Sequence, residues 1–249
     1  MRVSALILIT VTAATLIPPS TADAQQIEIN AETGLTWFSR NDVRIPNQNG
    51  TEFDMLELIG TGVAPYLRLS ASITLGERHK IRALLAPLSK TGTGQFDEEV
   101  FFEETLFEAG VPTNGTYRFN NYRLTYRYTF YNNRGWVLGA GAAVLVRDAK
   151  VELAQAGLTD SNTDLGFVPL LHIYAKRAFS DRASLVLDAE GLAATQGRAA
   201  DASLTLDFKL SDRWSARAGY RLLEGGADVD EVYNFAWINF GLVGFRLTL

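Results

Sequence analysis

The stretch "NNYRLTYRYTF" at 120–130 decides the fold. Tyr122, Leu124, Tyr126, Tyr128 and Phe130 alternate with Asn121, Arg123, Thr125, Arg127 and Thr129. Successive side chains of a strand point to opposite faces, so this run is a strand with one apolar and one polar face. The same period recurs in "IEINAETGLTW" (27–37), "YLRLSASITL" (66–75) and "SLTLDFKL" (203–210). Ten such runs are predicted, at 27–38, 64–75, 80–88, 117–131, 136–147, 166–179, 183–192, 202–210, 214–223 and 233–249. Helical periodicity is nearly absent. Most runs have about the 9–11 residues of a tilted membrane strand, and ten is an even count that closes an antiparallel barrel. The expected fold is all-β, a closed antiparallel transmembrane barrel of about ten strands. Eight or twelve stay open, because 52–60 and 98–107 are further pairing candidates.

Composition narrows the function classes. The first 24 residues carry Arg2, an apolar stretch and the triplet Ala22-Asp23-Ala24, the pattern of a secretory signal cleaved near Ala24. Residues 25–249 are then the barrel domain. That part has no apolar run long enough for a membrane helix. The chain has no Cys, which excludes a disulfide scaffold and Cys-ligated metal. A net charge of −5 argues against nucleic acid as a partner. With only two His, His-based catalysis or zinc binding has few routes, and no cofactor or metal is expected.

The links between runs give the direction. Four are very short: "GERH", "NNRG" and two copies of "SDR", at 180–182 and 211–213. The alternate links are long, notably 39–63, 89–116, 148–165 and 224–232. Short periplasmic turns opposite long extracellular loops are an outer-membrane pattern. In the repeated turn, Ser and Asp are expected to supply local backbone hydrogen bonds. Alternation alone also suits a soluble barrel with an apolar interior. Two features favour lipid on the apolar face. Trp37, Trp136, Trp214 and Trp237 all fall near predicted strand ends, as an aromatic girdle requires. The polar face carries ionised groups of both signs, which a closed lumen neutralises by pairing.

The chain ends in "GFRLTL" at 244–249, with Gly244 followed by Phe245, Leu247 and Leu249 on one face. This resembles the C-terminal assembly signal of outer-membrane barrels, with Leu249 in place of the usual Phe. The whole pattern resembles small OmpA/OmpW-type barrels. "DLGFVPLLHIYA" and "YRLLEGGADVDEVYNFAW" are similar to segments of a bacterial outer-membrane barrel group from which no catalytic residue carries over. The resemblance implies a Gram-negative outer-membrane location. It implies outer-membrane lipids, lipopolysaccharide and the barrel-assembly machinery as partners, and a monomer.

The polar face places Arg68, Arg82, Arg123, Arg127, Arg147, Lys176, Lys209, Arg217, Arg221, Glu28, Glu32, Asp188, Glu190 and Asp207 inward. Tight "SDR" turns set Asp207 opposite Arg217, Lys209 opposite Ser215, His172 opposite Glu190 and Tyr174 opposite Asp188. Cross-strand neighbours of this kind interact directly. Two readings follow: a polar conduit, or a lumen plugged by paired charge. The second is favoured, and no enzyme is expected. His172 with Glu190 is a candidate acid–base pair without a matching nucleophile. Omptin proteases are ten-stranded too, but they carry His at the outer rim. Lipid A deacylases use His-x-Ser where this chain has His172-Ile173-Tyr174. The long loops are acidic, which concentrates cations at the mouth or bridges surface lipid through divalent ions. "GGADVDE" lacks the full spacing of a calcium loop. Within "FDEEVFFEETLFE" (96–108), a hairpin or strand extension is expected, with its phenylalanines forming a contact surface or packing within the loop.

Overall fold

A computed structural model describes residues 25–249, so the expected signal segment lies outside the described residues. Alternation drives strand formation along nearly the whole of this length. The long strands are β1 (Gln26–Arg44), β3 (Ala64–Leu75), β4 (His79–Ala86), β8 (Thr113–Asn133), β9 (Trp136–Gln155) and β10 (Leu158–Ala178). They continue as β11 (Ala183–Ala194), β12 (Gly197–Lys209), β13 (Trp214–Asp228) and β14 (Tyr233–Thr248). Each pairs antiparallel with its neighbour, and β14 pairs with β1, closing a ten-strand ring. Short pieces complete the chain: β2 (Phe53–Asp54), α1 (Leu56–Ile59), β5 (Ser89–Gly94), β6 (Val100–Phe102) and β7 (Thr105–Phe107). β5 prolongs β4 beyond Pro87, and both pair with β8. Proline has no N–H to give a ladder, which accounts for the break.

The apolar face points out. Leu124, Phe130, Phe167, Ile173, Leu204 and Phe245 are exposed, while Arg68, Arg123, Glu190 and Asp207 are buried inside. That inversion is right for lipid and wrong for water. The "SDR" registers hold: His172 lies opposite Glu190, and Asp207 opposite Arg217. Both turns close the same way. Ser180 Oγ accepts from the Ala183 N–H at 3.1 Å, and Ser211 Oγ from the Trp214 N–H at 3.1 Å. Asp contributes differently from expectation: Asp212 pairs with Lys209 instead of capping backbone.

The long-loop end departs most from the sequence reading. The region 148–165 is no loop. β9 and β10 run on as a ladder to a two-residue turn at Ala156-Gly157, whose φ values of 48° and 90° suit a tight hairpin. β8, β9 and β10 hold 21, 20 and 21 residues, and about 21 residues span roughly 70 Å at 3.3 Å each. That is far more than a membrane band about 25 Å tall needs, even with tilt. The ladder therefore stands above the lipid. Its outer face turns polar there, with Arg118 bonded to Asp148 at 2.7 Å. The strands exceed the predicted runs because the apolar half of the alternation stops at the membrane edge while the pairing does not.

The loops 45–63 and 95–112 fold inward and fill the mouth. Phe38, Phe53, Met55, Leu58, Phe102 and Phe107 form part of one apolar core, and Phe102 and Phe107 are fully buried. The phenylalanines of 96–108 thus pack within the loop and offer no broad contact surface. α1 lies directly on the glycines of β5. A Cβ at Gly92 would stand 2.4 Å from the Leu58 carbonyl oxygen, and one at Gly94 only 2.0 Å from that of Glu57. Lys90 Nζ then donates to the carbonyls of Gly60 and Gly62 at 2.6 and 2.8 Å, satisfying the free end of the helix.

Candidate functional site

Beneath this apolar lid the lumen is crossed by ion pairs. Asp201 is the hub. It accepts from Arg68 Nη2 at 2.9 Å and Arg221 Nη1 at 2.5 Å, and Arg123 Nη2 lies 3.1 Å away as a third ion pair. Those arginines stand on β3, β8 and β13, so one carboxylate of β12 ties together distant parts of the wall. Arg221 also holds Glu32 with two bonds of 3.0 Å each, the fork geometry that suits guanidinium and carboxylate.

A second group lies beside it. Arg82 reaches Asp188 at 2.6 Å and Glu190 at 2.7 Å. Glu190 also accepts from Arg123 and from Thr125 Oγ1, the latter at 2.7 Å. His172 Nδ1 lies 3.3 Å from Glu190 and 3.7 Å from Asp188. These three residues bring their ligand atoms within 4.8 Å of one another. Both carboxylates are already occupied by guanidinium groups, so a cation there would compete with Arg82 and Arg123. The same occupancy leaves Glu190 a poor general base, because its oxygens are engaged by donors of Arg82, Arg123 and Thr125.

A lower tier finishes the lumen towards the short turns. Lys80 pairs with Glu28 at 2.5 Å, and Arg246 with Asp207 at 2.7 Å. Arg217 donates to Asn30 Oδ1 at 2.8 Å. Arg127 stacks over Tyr174 with its guanidinium carbon 3.8 Å from the ring centre. Gly139 makes room for it: a Cβ there would come within 2.9 Å of Arg127 Cδ. A cavity of about 210 Å³ remains among these groups.

The inward set predicted from alternation does converge, with specific departures. Asp207 faces Arg217 in register, yet its ion partner is Arg246, because long side chains reach across the lumen. Arg147 sits one level higher and pairs with Asp164, while Lys209 stays at the turn with Asp212. Arg127 has a ring for a partner in place of an acid. Asp201, Lys80 and Arg246 join the network from outside the predicted inward set. Asp201 falls one residue before the predicted run 202–210, although extending the inward series Asp207, Thr205, Ser203 by two reaches it. The girdle residues face outward: Trp136 and Trp214 open β9 and β13, and Trp37 and Trp237 share the β1–β14 seam. Phe245 and Leu247 lie opposite Ala31 and Ile29 in that seam, and Leu249 bonds Ile27 at 2.9 Å.

No protein-family model matches the sequence, and no curated protein does. Solved structures do resemble the fold. The outer membrane protease OmpT from Escherichia coli aligns with a TM-score of 0.51 at 9% identity, covering 90% of this chain and 97% of that one. An outer membrane channel from Pseudomonas putida F1 aligns at 0.43 and 8% identity, over 94% and 100% of the two chains. Ail of Yersinia pestis aligns at 0.39 and 11% identity, over 89% and 99%. The OmpT likeness and the closed ten-strand ring together give the chain the fold of an outer-membrane β-barrel. Relatives so distant speak to fold alone.

Proposed function

We propose that the chain is an integral protein of the Gram-negative outer membrane, sealed along its axis, with a structural or surface-interaction role. One observation carries this reading: Asp201 holds arginines of three other strands at the lumen centre. A conduit needs a continuous polar path, and here the charges spend themselves on each other. The apolar lid of 45–63 and 95–112 adds a second closure above. Lipid on the outer face and lipopolysaccharide around the mouth are the surroundings that this surface suits. The seam-closing segment Gly244–Leu249 is the part offered to the barrel-assembly machinery, and the acidic loops draw cations to the rim.

Planar-bilayer recording of refolded protein tests the reading. A quiet membrane is expected at moderate voltage. Discrete, reproducible single-channel steps would establish a narrow diffusion channel instead.

A further inference from the structure

The barrel wall is incomplete on one side. Pairing between β10 and β11 runs from Ala178↔Ser184 only as far as Leu171↔Gly191. β10 nevertheless continues up to Leu158 with β9 as its ladder partner, and Asp160 and Asn162 near its tip bond Glu103, Glu104 and Thr105 of the inward-folded loop. β11 and β12 turn back at Thr195-Gln196. Among the described residues, no backbone hydrogen bond joins 158–170 to β11 or β12. Pro169 lies on this bare edge, where a residue without an N–H costs no ladder bond. Ala199 of β12 packs against Ala143, Leu145 and Leu170, so apolar side chains alone close the interval.

Behind that interval is a cavity of about 680 Å³, well within the range of small-ligand sites. Its lining includes inward residues such as Leu145 and Ala199 and outward ones such as Phe167 and Ala200. Both wall faces line one cavity only where the wall is open. Phe167 and Leu171 beside the lower end of the interval are apolar and 73% and 62% exposed, so that end meets the outer edge of the lipid, while Asn162 and Asp164 carry the cavity up into the ladder above it.

The inner end of the cavity is polar. Asn121 and Arg147 are direct cross-strand partners, and Arg123 stands opposite Leu145 one step below. Asn121 is only 1% exposed, and neither its amide nitrogen nor its oxygen has a partner. Arg123 Nε and Arg147 Nε also have none. Three free donors against one free acceptor favour an acceptor-rich group. A buried amide left unpaired is costly, so the arrangement is one that a ligand would complete.

We infer that this cavity binds a single-chain amphiphile with a carboxylate head, entering sideways from the outer leaflet between β10 and the β11–β12 hairpin. The carboxylate accepts from Asn121 and the two arginines. The chain lies along Val168, Leu192 and Ala199 towards the gap. This site lies above the axial seal and shares Arg123 with it, the Arg123–Asp201 layer forming its floor.

The probe is ¹³C-carboxyl dodecanoate added to the barrel in lipid nanodiscs, with native mass spectrometry for stoichiometry. One dodecanoate per barrel is expected, with a carboxyl resonance distinct from the bilayer pool. Asn121→Leu should weaken binding at least tenfold and abolish the shifted resonance. Ala199→Trp, which fills the passage, should abolish saturable binding. Ala149→Phe provides a second filled cavity should Ala199→Trp fail to give heat-modifiable, folded barrel. Dodecyltrimethylammonium, with the same chain and the opposite charge, should not compete. Absence of saturable binding to wild type would overturn the site, as would binding that survives both filling variants. Equal competition by the cation, or an unchanged Asn121→Leu, would overturn the carboxylate assignment.

Discussion

Asp201 shows how much one side chain decides in a narrow barrel. Three guanidinium groups converge on it, and all of them are buried or nearly so. Removing a partner from a buried pair strands charge in a poor dielectric, which costs about 3–5 kcal/mol. Asp201→Ala is therefore expected to lower resistance to urea by about that amount, measured by tryptophan fluorescence in lipid vesicles. Glu28→Ala, whose partners Lys80 and Arg246 are nearer the periplasmic mouth, should cost less. Equal losses would show that the hub has no special weight. Alternation made the inward arginines legible from the sequence. Which acid each one takes was not, because arginines reach across the lumen to strands far away in sequence. Arg68 and Asp201 lie 133 residues apart and meet only once the ring is closed.

At the scale of elements, the mouth is built by a short helix lying against glycines. Gly94→Ala would drive a methyl group into the Glu57 carbonyl, so α1 should undock. Rapid proteolysis within 45–63 is expected, with heat-modifiable gel mobility retained because the ring does not depend on α1. Loss of both properties would mean the lid is integral to the barrel. The lid also has a pH signature. Burial pushes the Asp54 carboxyl above its ordinary value; the Leu56 N–H opposes the shift and Asp42 adds to it. Burial likewise raises Glu57, helped by Asp54 and Asp97. A carboxyl raised on docking stabilises the docked state below its undocked pKa, and that contribution is lost as pH rises through the docked value. Amide exchange in 53–60, corrected for intrinsic rates, should slow between neutral pH and about pH 4. Asp54→Asn with Glu57→Gln should flatten this response; an unchanged pH profile in that variant would refute the assignment. None of this was legible in "KTGTG", which reads as a loop until the helix is seen against it.

For the whole molecule, we propose that the four tryptophans and the polar ladder mark where lipid ends. Trp136 and Trp214 stand at the short-turn end, and Trp37 and Trp237 near the other. Quenchers at the headgroup level should dim all four more than quenchers at the bilayer centre do, and single-Trp variants can resolve the two ends. Stronger quenching at the centre would sink the proposed placement. The lateral interval beside β10 is also a whole-molecule property. It arises because β10 outruns β11, a difference in length between strands that are each regular.

Period-two alternation in the sequence determined which segments form strands and how side chains divide between two faces, and the short and long links determined strand direction. Those properties follow from local backbone geometry and from short turns whose arithmetic sets register. Tertiary structure decided the rest: the charge partners, the buried lid, the ladder above the membrane and the gap in the wall. These depend on contacts between residues far apart in sequence, on polar strand ends where the apolar signal fades, and on unequal strand lengths around a closed ring.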